Sequence, residues 1–127
     1  MTENLKKNKA HQNLVKARQR LKAFLEEPIQ SDRDEAGIVK AFEFSFEMFW
    51  KYLQVRLEAD GLEARSPRET FKQSISAGLI AAEKEPVLLQ MLVDRNLTVH
   101  TYDPKLAHEI SERVRKDYSK IFESITD

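Results

Sequence analysis

The chain contains no cysteine, one tryptophan, three glycines and four prolines in 127 residues, and its formal net charge is zero. Without cysteine there is no disulfide, no thiolate nucleophile and no sulfur-ligated metal. So little glycine and proline leaves too few turns for a β sandwich or barrel, which favours helices. No apolar run is long enough to cross a membrane, and the polar N-terminal segment lacks the apolar stretch of a signal peptide, so a cytoplasmic location is expected. A balanced charge supplies no global field to attract nucleic acid. Also missing are a G-x-x-x-x-G-K-[ST] phosphate loop, an H-E-x-x-H pair and a nucleotidyltransferase signature with paired aspartates, and no cluster of carboxylates and histidines resembles a metal site. No metal and no intrinsic cofactor are expected, and any phosphate chemistry must proceed without a metal of the chain's own.

What is present is a folded-protein composition, 41% hydrophobic and 33% charged, in a length suited to one domain over residues 1–127. The charges are unevenly placed. Residues 1–30 hold seven Lys/Arg against three acids, a net of +4, and residues 31–60 hold four against seven, a net of −3. The simplest account of the basic run is a solvated helix face, and contact with RNA or an acidic partner is the alternative.

Periodicity divides the chain into helices. Ala10, Leu14, Ala17, Leu21 and Phe24 are spaced 4-3-4-3 in a first helix from about Glu3 to Glu27, stopped by Pro28. Ser31-Asp32 restarts the chain, and a second helix runs to about Asp60 with Gly61 past its end. Its two stripes, Ile38-Ala41-Ser45-Met48-Tyr52-Val55 and Phe42-Phe46-Phe49-Leu53, are widened by Phe44 and Trp50. A helix this apolar is central, or buried against a second subunit as well. Glu47 and Lys51 are spaced to form an i,i+4 pair. Ser66-Pro67-Arg68-Glu69 is a capping box with proline at the first helical position, and Phe71, Ile75, Gly78, Leu79 and Ala82 then share a face. Pro86 breaks that helix and opens another toward Arg95; Asp103-Pro104 starts the last, which buries Leu106 through Ile125. Long helices with short links predict an all-α, antiparallel four-helix up-and-down bundle with an additional short helix.

The richest chemistry lies in Arg95-Asn96-Leu97-Thr98-Val99-His100-Thr101-Tyr102. Histidine moves protons near neutral pH, and arginine stabilises a pentavalent phosphorus. On a continuous helix Arg95 and His100 would sit roughly 140° apart, so they share a pocket only if the helix loosens or two copies combine. Asn96, four residues before His100, is placed to orient the imidazole. The plain alternative is that these side chains cap and pack a helix end, Tyr102 covering the joint with its ring. His11 and His108 sit on charged faces with no specific role expected.

Four motifs in order, Phe44 to Lys51, Arg65 to Arg68, Ala77 to Ile80 and Arg95 to Asp103, resemble the HEPN-type subunits encoded beside minimal nucleotidyltransferases, often called nucleotidyltransferase substrate-binding proteins. The likeness spans about residues 10–125. It implies a single HEPN-like helical domain that forms a homodimer and pairs with a separately encoded minimal nucleotidyltransferase. Nucleotide or substrate, ATP or AMP among them, would bind around Arg95, His100 and Tyr102, with Trp50, Lys51 and Arg68 at binding or interface positions. In the related HepT-type toxins the same motif is a metal-independent endoribonuclease site. On that alternative Arg95 and His100 would cleave RNA with Asn96 in support, and Tyr102 would be adenylylated by the partner to silence the site.

Overall fold

The computed structural model describes the backbone of residues 2–125 except Thr101, and the side chains of residues 4–125 with the same exception. Every regular element among the described residues is helical: α1 (Thr2–Glu26), α2 (Asp32–Ala59), α3 (Pro67–Ser76), α4 (Glu85–Leu97), α5 (Pro104–Arg113) and α6 (Ser119–Ser124). Single 3₁₀ turns at Ala82–Lys84 and Thr98–His100 flank α4, and a π turn, Val114–Tyr118, joins α5 to α6. No helix among the described residues is long and apolar enough to cross a membrane.

The helix ends follow the local chemistry. Ser66 Oγ accepts from the Glu69 amide at 3.1 Å while Glu69 Oε2 reaches back to the Arg65 amide, closing the start of α3. Asp103 accepts from the Lys105 amide at the start of α5. At α2 the Ser31 side chain makes no cap bond, and Asp34 instead accepts from the Gln30 amide at 2.8 Å. Gly61, at φ 79°, lets the amides of Gly61 and Leu62 return to the carbonyls of Glu58 and Leu57, a left-handed C-terminal cap. Gly78 has the same φ of 79°, and the amides of Gly78 and Leu79 return to Ile75 and Ser74. α3 therefore stops at Ser76, short of the Ala82 that its spacing predicts. Gly78 ends this helix, and Pro86 acts only as a starter in the first turn of α4.

α2 is the hub, packing on α1, α3 and α5. Phe42 stacks on Tyr118 and Phe122, Phe49 meets Phe122 at 5.1 Å, and Phe71 of α3 meets both Phe46 and Phe49. Burial of each such ring is worth about 1.5–3 kcal/mol. Both predicted stripes of α2 are thus spent largely inside this one chain. The exception is Phe44, 55% exposed, which with Phe24 forms the apolar part of a groove of about 580 Å³ edged by Lys16, Arg20 and Lys40. Arginines tie α1 to the C-terminal segment in both directions. Arg18 donates to the carbonyls of Phe122 and Ile125, and Arg115 to that of Leu25, so each end carbonyl receives a cation from the other helix.

His108, on the exposed side of α5, is not idle. Its Nδ1 lies 2.6 Å from Oε2 of the buried Glu35 of α2, and Ser111 Oγ donates to the same oxygen at 2.8 Å. The Glu35 hydrogen bond and charge, helped by Glu112 and Glu109, raise the His108 pKa above its ordinary 6.5. A proton bound more tightly in the folded chain stabilises it fully below about pH 6.5, and that stabilisation is lost as pH rises through the higher folded value. In metal-free buffer, melting temperatures taken from pH 6 to 9 are expected to fall more for the wild type than for His108→Ala. Parallel curves for the two proteins would contradict this assignment.

Candidate functional site

The site begins with an aspartate in the wrong place for a surface helix. Asp94 follows Met91 by three residues and Val87 by seven, which puts it on the inward arc of α4, and it is fully buried. A buried carboxylate needs cationic and hydrogen-bond partners. Arg113 supplies two, Nε at 2.7 Å and Nη2 at 2.8 Å; the Tyr118 hydroxyl donates a third, and Gln90 approaches at 3.3 Å. Arg113 and Tyr118 are five residues apart, a spacing that an α-helix would splay by roughly 140°. The π turn between them widens the helix to an i→i+5 repeat, so both reach one carboxylate. Burial and the Asp94 hydrogen bond push the Tyr118 hydroxyl far above the usual phenol range, and its bond to Asp94 raises the Arg113 pKa. The cluster is a fixed clamp between α4 and the α5–α6 segment.

Arg95 follows immediately and leaves α4 in another direction. Its Nη2 is 2.6 Å from Oε1 of Glu47 on α2, and its guanidinium carbon lies 5.3 Å from the centre of the Phe46 ring. Trp50, half-buried, donates from Nε1 to the other Glu47 oxygen at 3.2 Å. One carboxylate therefore gathers Arg95 and Trp50, and no ion pair joins Glu47 to Lys51 among the described residues. Sequence reasoning missed Glu47 as the holder of Arg95, since 48 positions separate them; the only local sign was an acid three residues before the single tryptophan.

Beyond Arg95 the helix loosens as expected. Thr98 and Val99 are β-branched, the Thr98 hydroxyl donates to the Arg95 carbonyl at 2.8 Å, and Asp103 before Pro104 is held extended. The 3₁₀ turn Thr98–His100 results. No hydrogen bond joins Arg95 to His100 among the described residues. His100 instead meets the ring of Tyr102 edge-on at 6.0 Å. Tyr102 is 82% exposed and Val99 74% exposed, so the tyrosine does not cover the joint. Asn96 and Lys51 are exposed, and Thr101 lies outside the described residues. Exposed Leu89 and Val93 share a face of α4 with Asn96, leading toward His100. Arg68 lies at the far end of that face, lining a groove of about 190 Å³ with Phe71, Ile75, Leu88 and Leu89.

Adjacent residues 94 and 95 should behave differently in urea unfolding. Asp94→Ala strands the Arg113 charge and is expected to cost about 3 kcal/mol, the lower end for a broken buried pair because Arg113 is partly exposed. Glu47→Gln loosens only a half-exposed pair and is expected to cost about 1 kcal/mol or less. Equal losses would contradict the division between clamp and site.

Comparison with known proteins agrees with this fold. A protein of Thermus thermophilus solved by crystallography superposes with a TM-score of 0.80 and 37% identity, covering 87% of this chain and 93% of its own. No curated protein matches the chain. The family model described as "nucleotidyltransferase substrate binding protein like" matches residues 9–127, and the chain belongs to that family.

Proposed function

We propose that this chain is a HEPN subunit, working as a homodimer, that pairs with a separately encoded minimal nucleotidyltransferase in a two-component system of toxin–antitoxin type. The segment Arg95–Tyr102 is what it presents to that partner, and nucleotide is held between the two proteins there. The family's substrate-binding description supports the pairing. The observation that carries the reading is Tyr102, whose 82% exposure beside His100 puts an open phenol on the connector between α4 and α5. A residue kept only for packing would bury that ring. Val99 and Tyr102 make a projecting surface, so a cleft closes only when a second body covers it. In this reading the Tyr102 oxygen accepts AMP from ATP with release of pyrophosphate, leaving on the connector a phosphate that competes with Glu47 for Arg95.

The alternative is a metal-independent endoribonuclease built on Arg95 and His100, with Asn96 in support. Within one chain Arg95 is held by Glu47, and cleavage requires either its release or a His100 from a second copy. The exposed face of Leu89, Val93 and Asn96 favours the second route, because it runs along α4 toward His100. Neutral net charge opposes tight binding of long RNA by this chain alone.

Intact-mass measurement after co-expression with the partner transferase and ATP tests the proposal. The expected result is a co-purifying transferase and a mass increase of one or more AMP groups, mapped to Tyr102 and lost in Tyr102→Phe. A retained transferase without the mass increase leaves a passive substrate-binding subunit. A tagged chain that never retains the transferase overturns the reading.

A further inference from the structure

The contact between Glu35 and His108 has a third member. Glu112 lies one helical turn beyond His108 on α5, and ligand atoms of Glu35, His108 and Glu112 all fall within 4.8 Å of one another. We propose that these three side chains form a binding site for a divalent transition ion of the zinc class, bridging the first turn of α2 and the middle of α5. This site is independent of the function proposed above and touches none of its residues.

The argument rests on ligand type, spacing and support. An imidazole and a carboxylate at i and i+4 project from one face of a helix, the arrangement by which a single helix offers two ligands to one ion. The third ligand comes from a different helix, as a closed tripod requires. Ligands at about 2.0–2.2 Å in tetrahedral geometry stand about 3.4 Å apart. Glu35 Oε2 and His108 Nδ1 are closer than that, at 2.6 Å, and need to part by less than about 1 Å. Glu112 is exposed, and its ligand oxygen already lies within 4.8 Å of the ligand atoms of the other two. The supporting shell is already built: Ser111 Oγ donates to Glu35 Oε2 at 2.8 Å, and the Glu35 side chain is only 10% exposed, so its carboxylate is held before any ion arrives.

Charge points the same way. Two carboxylates around a neutral imidazole carry a charge of −2, which a divalent ion neutralises. One nitrogen and two carboxylates with a water in the fourth position suit Zn²⁺, Co²⁺ or Ni²⁺. Magnesium and calcium, which need six or more oxygens, are poorly served. The spacing was invisible in the sequence because Glu35 lies 73 residues before His108.

The test uses the full chain, stripped with chelator, and two probes: Co²⁺ followed by its visible ligand-field absorption, and Zn²⁺ followed by calorimetry and by displacement of Co²⁺. The expected result is about one ion per chain, a tetrahedral Co²⁺ spectrum, and affinity reduced about 10–100-fold by His108→Ala, Glu35→Gln or Glu112→Gln. Glu109→Gln, a charge change beside the site without a ligand role, is expected to bind as wild type. Glu35→Gln removes a tertiary tie and is open to misfolding, so Glu112→Gln, an exposed change, is the deciding variant. Absence of a saturable Co²⁺ signal, or affinity unmoved by Glu112→Gln and His108→Ala, would overturn the proposal. Equal loss in Glu109→Gln would do the same, since it marks a diffuse acidic surface rather than a tripod.

Discussion

A single buried carboxylate organises this molecule. Asp94 has no water to solvate it, so the fold must bring Arg113 and Tyr118 to it, and that demand sets the shape of the C-terminal third. An ordinary α-helix cannot aim residues five apart at one target. The π turn at Val114–Tyr118 is the distortion that satisfies Asp94, and its local cost is offset by a charge-assisted, two-pronged contact. Removing the pair in favour of apolar residues need not weaken the fold, since buried ion pairs recover little net energy. What the clamp contributes is register. It allows one rotation of α4 against α5, and with it one direction for Arg95.

That register divides the functional stretch into two parts with opposite character. Arg95 lies on the held side, with its guanidinium over Phe46 and against Glu47, which Trp50 steadies from its own helix. His100 and Tyr102 lie past the helix end, on a turn made by Thr98 and Val99 and closed by Asp103-Pro104. In the proposed function the held cation would supply a fixed charge for phosphate, the exposed imidazole and phenol would supply adjustable groups for chemistry, and another molecule would supply the covering wall. The second helix does not provide that wall, because its apolar stripes are spent on the core.

Much of this was legible along the sequence, for a reason each residue makes plain. Ser66-Pro67-Arg68-Glu69 and Asp103-Pro104 act through neighbours within four positions, and the α2 stripes act through a period that local geometry fixes. Gly61 was readable because apolar periodicity stops before it. Gly78 misled because Phe71, Ile75 and Leu79 keep a helical spacing across it, although Ala77-Gly78-Leu79 repeats the Gly-Leu ending of Asp60-Gly61-Leu62. What stayed hidden depends on distant partners. Glu47 was read with Lys51, four residues away, and belongs to Arg95. His108, on a charged face with no specific role expected, is bonded to Glu35. The π turn has no sequence signature at all; it follows from Asp94, whose burial on an apolar arc was the one available sign.

Asp94 locks α4 up to Arg95, while Val99, His100 and Tyr102 lie exposed beyond the end of that helix. Native-state hydrogen exchange measures this residue by residue. Amides of Met91 to Leu97 are expected to exchange only through global unfolding, while those of Val99, His100 and Tyr102 open locally at far lower free energy. In Asp94→Asn the protection of the α4 amides should fall toward that of the connector. Uniform protection from Met91 through Tyr102, or α4 protection that survives Asp94→Asn, would contradict it.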